Sequence, residues 1–182
     1  GSGEIQTQER KVDTFHSVVT GGSEDLYVTQ GATQQLKIEA EENVLQNLIT
    51  EVRGGVLHID YRHSFNGHGP ITIYVTMKEV KGLKLAGSGN IKGQSKITTD
   101  EIDLGISGSG NIEMELEASH INTAISGSGH VTLSGKTSSH KVKISGSGEI
   151  RALDLTAESY SIGISGSGNG KINVSTKLDV RI

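Results

Sequence analysis

Gly108-Ser109-Gly110-Asn111-Ile112 is one of five near copies of a single phrase, and the spacing of those copies decides the fold. The others are Gly87-Ser88-Gly89-Asn90-Ile91, Gly127-Ser128-Gly129-His130-Val131, Gly146-Ser147-Gly148-Glu149-Ile150 and Gly166-Ser167-Gly168-Asn169-Gly170. Their first glycines are 21, 19, 19 and 20 residues apart. A near-constant period of this size describes one structural unit stacked on copies of itself.

The residues around the phrase say what the unit is. Before each copy runs a strand with alternating aliphatics: Ile102, Leu104, Ile106; Ile121, Thr123, Ile125; Val142, Ile144; Tyr160, Ile162, Ile164. After it comes a second run, clearest as Ile112, Met114, Leu116 with glutamates between. Period-two alternation sends the aliphatics to one face and their polar neighbours to the other. If every copy turns the same way, like strands lie parallel about 4.8 Å apart. Ile106, Ile125, Ile144 and Ile164 then form an internal stack. The corner residues are Gly87, Ser88, Gly89, Gly108, Ser109, Gly110, Gly127, Ser128, Gly129, Gly146, Ser147, Gly148, Gly166, Ser167 and Gly168, where close backbone approach excludes a β-carbon. An antiparallel sandwich would favour Asn-Gly or Asp-Gly turns between paired strands, and the same Ser-Gly-Ser-Gly stands there each time. The expected fold is all-β: a parallel β-helix-like solenoid of roughly 20-residue coils over residues 81–182, preceded by an irregular β-rich subdomain over 1–80.

Composition agrees. Of 182 residues 25 are Gly, and aromatics make up 3%, too few for a core of large rings. The formal charge of −4, with no dense basic run carrying aromatics, argues against nucleic-acid binding. There is no cysteine, hence no disulfide and no thiolate site. No stretch has the roughly 20 apolar residues that span a bilayer. The chain opens without Met, which reads as a processed or trimmed start. At the other end, Leu178-Asp179-Val180-Arg181-Ile182 repeats the phase of Lys141-Val142-Lys143-Ile144. Another Ser-Gly-Ser-Gly is due, so the expectation is a truncated array with an open edge that a second copy or partner covers.

In the first eighty residues, Phe15 to Val19, Asp25 to Thr29 and Gln35 to Glu39 read as strands, and residues 41–49 as a short helix. Residues 50–53 and 56–61 flank Gly54-Gly55 as a hairpin, and 71–77 is a further strand. His58, His63 and His68 with Asp60 invite a metal reading, but they fall on a polar strand face and a glycine-rich loop. We expect no metal and no cofactor.

Candidate chemistry is sparse. A polysaccharide lyase or hydrolase of solenoid shape needs clustered carboxylates. Stacked outward positions give Lys92, Glu113, Thr132, Arg151, Lys171 and Asp103, Asn122, Lys141, Ser161, Asp179, which are rows of mixed sign. Five equivalent corner serines cannot all be activated nucleophiles. His130 and His140 read as surface decoration. The glycine phrase lacks the Lys-Ser/Thr of a phosphate loop, and its period is about twice that of calcium-binding nonapeptide arrays.

The run Glu9-Arg10 leading to Phe15, the Asp25-Leu26-Tyr27-Val28-Thr29-Gln30-Gly31 strand, Leu36-Lys37-Ile38-Glu39-Ala40 with Glu42-Asn43, and the recurring GSGNI together resemble the auto-transporter adhesin head GIN domain family. The resemblance covers nearly the whole chain; Gly170-Lys171-Ile172 in the fifth copy is a small departure. It implies a protein of Gram-negative bacteria that is exported to the periplasm, outer-membrane surface or exterior, and it supplies no catalytic residues. The expected function is adhesion without enzymatic activity, to a glycan, a matrix component or an envelope protein. Asp103, Asn122, Lys141 and Lys143 mark the candidate binding face. A carbohydrate-active enzyme and a structural module of an envelope assembly are the alternatives.

Overall fold

The computed structural model describes residues 3–64 and 69–182. The chain enters through β1 (Ile5–Glu9), β2 (Ser17–Thr20), β3 (Asp25–Gln30) and β4 (Gln35–Glu41). A short helix, α1 (Glu42–Asn47), leads to β5 (Leu48–Arg53), β6 (Val56–Tyr61) and β7 (Thr72–Met77). Then come β8 (Gly82–Leu85), β9 (Asn90–Gly93) and five long, bent strands: β10 (Ile97–Gly108), β11 (Asn111–Gly127), β12 (His130–Gly146), β13 (Glu149–Gly166) and β14 (Asn169–Arg181).

From β10 onward each strand lies parallel on the next, in register with the repeat. Ile106 sits opposite Ile125, Ile125 opposite Ile144, and Ile144 opposite Ile164. The first three are at most 3% exposed. The chain is a parallel β-solenoid whose core is this aliphatic column and its neighbours. Within β11, Ile112, Met114, Leu116 and Ala118 point inward; Ser119 and His120 then both face out before Ile121, Thr123 and Ile125 resume. A second break comes at Ser126-Gly127-Ser128, after which Gly129 is buried. Two interruptions of the alternation per coil turn the chain back over its own core.

The unequal periods have local causes. Ile91 and Ile97, six residues apart, stand opposite Ile112 and Leu116, four apart, so the 21-residue step carries its extra residues between Gly93 and Ile97. In the 20-residue step, the register slips where Thr132 and Ser134 face Arg151 and Asp154. Such a bulge leaves one residue unpaired, and Leu153 there is turned outward, 58% exposed.

The glycine corners are closed by backbone contact. Gly110 N donates to Gly87 O at 3.0 Å, Gly129 N to Gly108 O at 3.1 Å and Ser147 N to Gly127 O at 3.0 Å. Two different constraints exclude a side chain. Gly127 has φ of +118°, and a Cβ on it would meet Gly108 O at 2.5 Å. A Cβ on Gly110 would meet Gly89 O at 2.3 Å and Leu85 Cδ2 at 2.5 Å.

The coils do not stack in chain order. β2 pairs in parallel with β6 on one side and β8 on the other. β3 likewise lies between β7 and β9. The coil made of β2 and β3 is therefore inserted between the coil of β6 and β7 and the coil of β8 and β9. The hydrogen-bond ladder thus crosses residue 80 without a gap, and the change there is one of sequence period.

Antiparallel strands cover the first coil: β4 pairs with β7, β1 with β4, and β5 with β6. Gly54 and Gly55, at φ of 58° and 77°, form the β5–β6 turn. Arg10 ties this cap together. Its Nη1 donates to Leu48 O at 2.7 Å and Thr50 Oγ1 at 3.2 Å, and its Nη2 to Leu45 O at 2.7 Å. A cation here satisfies carbonyls at the end of α1 that have no helical partner. Partial burial, with Arg62 nearby, lowers the Arg10 pKa. At the opposite end, among the described residues, β14 pairs only with β13, and Leu178 and Val180 are exposed.

Candidate functional site

The outward residues that follow the break at Ser119-His120 line an open groove of about 600 Å³ across successive coils. Register builds it: Glu101, His120, Ser139 and Ser159 form one row, and Asp103, Asn122, Lys141 and Ser161 the next. Asn122 and Lys141 line the groove and Asp103 adjoins them in the row, whereas Lys143 lines a neighbouring concavity with Ala124 and Gly163. The structure thus sets all four candidate residues on one face.

Two features of this groove are not in the sequence rows. Asn122 Nδ2 donates to Glu101 Oε1 at 3.0 Å and to Asp103 Oδ1 at 2.9 Å. The second carboxylate on this amide comes from the same strand as Asp103, two residues back, and not from an adjacent coil. Next to it, His120 Nδ1 lies 2.6 Å from Ser139 Oγ. Serine and imidazole are in reach, whereas Glu101 bonds to Asn122 and makes no hydrogen bond to the ring, so the three are not joined as a relay in this structure.

The groove floor corrects a second expectation. His140 is not surface decoration: it is 1% exposed. The outward pair Ser138-Ser139 shifts the phase, so His140 falls opposite Ile121 and Tyr160 inside the coil. Its Nε2 lies 2.7 Å from Thr123 Oγ1, and its ring is 5.0 Å from that of Tyr160. Burial lowers the imidazole pKa to about 3 and raises that of the Tyr160 phenol. His130 does lie at the surface, its Nδ1 3.4 Å from Glu149 Oε2.

The corner serines 88, 109, 128, 147 and 167 are all exposed, one per coil. In the inserted coil, Glu24 stands where the five repeat copies have the second corner glycine, since Asp25 pairs with Asn90. Its carboxylate is fully buried and accepts from the Thr20 hydroxyl, from Tyr61 Oη at 2.6 Å and from Gly22 N at 3.2 Å. Burial and then the Glu24 charge raise the Tyr61 pKa. Among the described residues no cluster of three or more His, Cys, Asp or Glu is arranged to hold a metal ion. His58 is on β6 and His63 beyond it, while His68 lies outside the described residues.

A parallel solenoid with an open polar groove across its coils places the protein in the β-helical class. Residues 14–182 match the family model "Putative auto-transporter adhesin, head GIN domain", and the chain belongs to that family. The fold recurs in a "putative adhesin" of Bacteroides fragilis, 24% identical, with a TM-score of 0.94 over 99% of this chain and 86% of that one. A "putative adhesin" of Parabacteroides distasonis is 20% identical with a TM-score of 0.75, over 99% of this chain and 98% of that one. A "putative lipid binding protein" of the same species is 22% identical with a TM-score of 0.72, over 99% and 95%. No curated protein matches the chain. Among the described residues no helix is long and apolar enough to cross a membrane.

Proposed function

We propose that this chain is an exported, non-enzymatic recognition module that binds a glycan or an envelope or matrix partner through the groove around Asn122 and Lys141. The observation carrying this reading is the register itself. It repeats hydroxyl, amide and ammonium groups at coil spacing along an open face about 600 Å³ in volume. Groups repeated about 4.8 Å apart suit an extended ligand held by many weak contacts. Membership of an adhesin family and an all-β scaffold support the same reading. Wild type and a Lys141→Ala/Lys143→Ala variant, compared on a glycan array and in pull-downs from cell-surface extracts, test it. Binding that falls in the variant supports the groove; a wild type that binds no surface component contradicts it.

One observation favours a second reading. Glu101 and Asp103 converge on a single amide nitrogen, and paired carboxylates are the working groups of glycoside hydrolysis. Polysaccharide depolymerisation that disappears in Glu101→Gln/Asp103→Asn would establish that alternative.

A further inference from the structure

The chain has four tyrosines, two phenylalanines and no tryptophan. Two of those few rings stand together on an outward face. Tyr27 on β3 and Tyr74 on β7 are register partners, with ring centroids 5.4 Å apart and planes 20° from parallel. Lys37 Nζ covers the far side of Tyr74, 4.6 Å from its centroid. Tyr74 is therefore enclosed on both faces, but Tyr27 is stacked on only one. Its other face looks toward the next coil, where Lys92 is its partner, and bounds a notch of about 260 Å³. Asp25, Asn90, Lys92, Asn111 and Glu113 complete the lining.

One wall of the notch is held in a fixed order. Asn90 Nδ2 donates to Asp25 Oδ1 at 2.8 Å, and Asn111 Nδ2 donates to Asn90 Oδ1 at 3.1 Å. Each amide still has an N–H to give, and Asp25 and Asn111 have acceptor capacity left. Among the described residues no later coil offers this combination, because the column below Tyr27 continues as Lys92, Glu113, Thr132 and Arg151.

We propose that this notch binds one neutral hexopyranose unit, seated on the free face of Tyr27 with its hydroxyls on the Asp25–Asn90–Asn111 row. The C–H face of a pyranose is apolar and weakly electropositive, which matches the negative face of an aromatic ring. Neighbouring sugar hydroxyls both donate and accept, as the row does. Charge excludes phosphate, sulfate and uronate: Asp25 and Glu113 repel an anion and only Lys92 offsets them. The volume, below the roughly 300–1,000 Å³ of drug-sized sites, suits a single ring. This notch shares no residue with the groove around Asn122 and stands without it.

Titration of isotopically labelled protein with the methyl glycosides of glucose, galactose and mannose, and of glucuronic acid, tests the assignment. At least one neutral glycoside is expected to shift the amides of Tyr27, Asn90, Lys92 and Asn111, with millimolar affinity. Tyr27→Ala should weaken that binding about tenfold, and Tyr27→Phe, which keeps the ring, by less than about threefold. Lys141→Ala/Lys143→Ala should leave it unchanged. The proposal is overturned if no neutral glycoside moves those amides, if a well-folded Tyr27→Ala binds like wild type, or if the glucuronide binds more tightly. Shifts confined to the Asn122 groove would overturn it while supporting the groove.

Discussion

His140 Nε2 lies 2.7 Å from Thr123 Oγ1 of the preceding coil, inside a core built mainly from aliphatic columns. Burial holds the imidazole neutral, with its pKa brought down to about 3. The unfolded chain takes up this proton near pH 6.5. Between those values the unfolded state binds more protons, so stability rises with pH through the interval and is fully present above about 6.5. The size is on the order of 3–5 kcal/mol for a shift this large. Urea denaturation of wild type and His140→Leu at pH 4 and pH 7 measures it. The gap between the two proteins should move in favour of the variant at pH 4; an unchanged gap shows that the ring is already solvated.

Gly110 and Ser109 are adjacent corner residues with opposite tolerances. Gly110→Ala forces a Cβ against Gly89 O and Leu85, and overpacking against backbone costs about 1–3 kcal/mol or more. Ser109→Ala alters an exposed side chain and should stay within about 0.5 kcal/mol. Equal melting temperatures for the two variants would show that the corner gives way.

Arg10 joins the segment after β1 to the end of α1 and the start of β5. Arg10→Ala leaves the Leu45 and Leu48 carbonyls without this donor, at a cost of about 1–3 kcal/mol. Arg10→Lys should recover little, because an ammonium cannot fork to both. Amide exchange should quicken in β1, α1 and β5 and stay slow in β12; uniform change over all coils would contradict a local clamp.

The repeat was legible in sequence because its constraint is short-ranged: each Ser-Gly-Ser-Gly fixes a corner, and alternation fixes which residues face in. Outward rows such as Asp103, Asn122, Lys141 and Ser161 followed from that register alone. The inserted coil did not, since nothing local in β2 shows that β6 lies on one side of it and β8 on the other. β1 escaped because Ile5-Gln6-Thr7-Gln8-Glu9 is an exposed edge without alternation. Tyr27 and Lys92 are 65 positions apart, and the insertion is what makes them neighbours. Glu24 is marked in sequence by one contrast: its position is glycine in each of the five repeat copies.

The stacking order supports every surface described above, and a cysteine-free chain allows a direct measurement of it. Val19 is the register partner of both His58 and Lys84, while His58 and Lys84 stand two coils apart, beyond the roughly 7 Å that a disulfide spans. Under mild oxidation, the cysteine pairs 19/58 and 19/84 should each close in high yield and the pair 58/84 should stay reduced. Closure of 58/84 in place of 19/84 would mean that the coils follow chain order, and the juxtaposition of Tyr27 with Lys92 across the notch would fail with it.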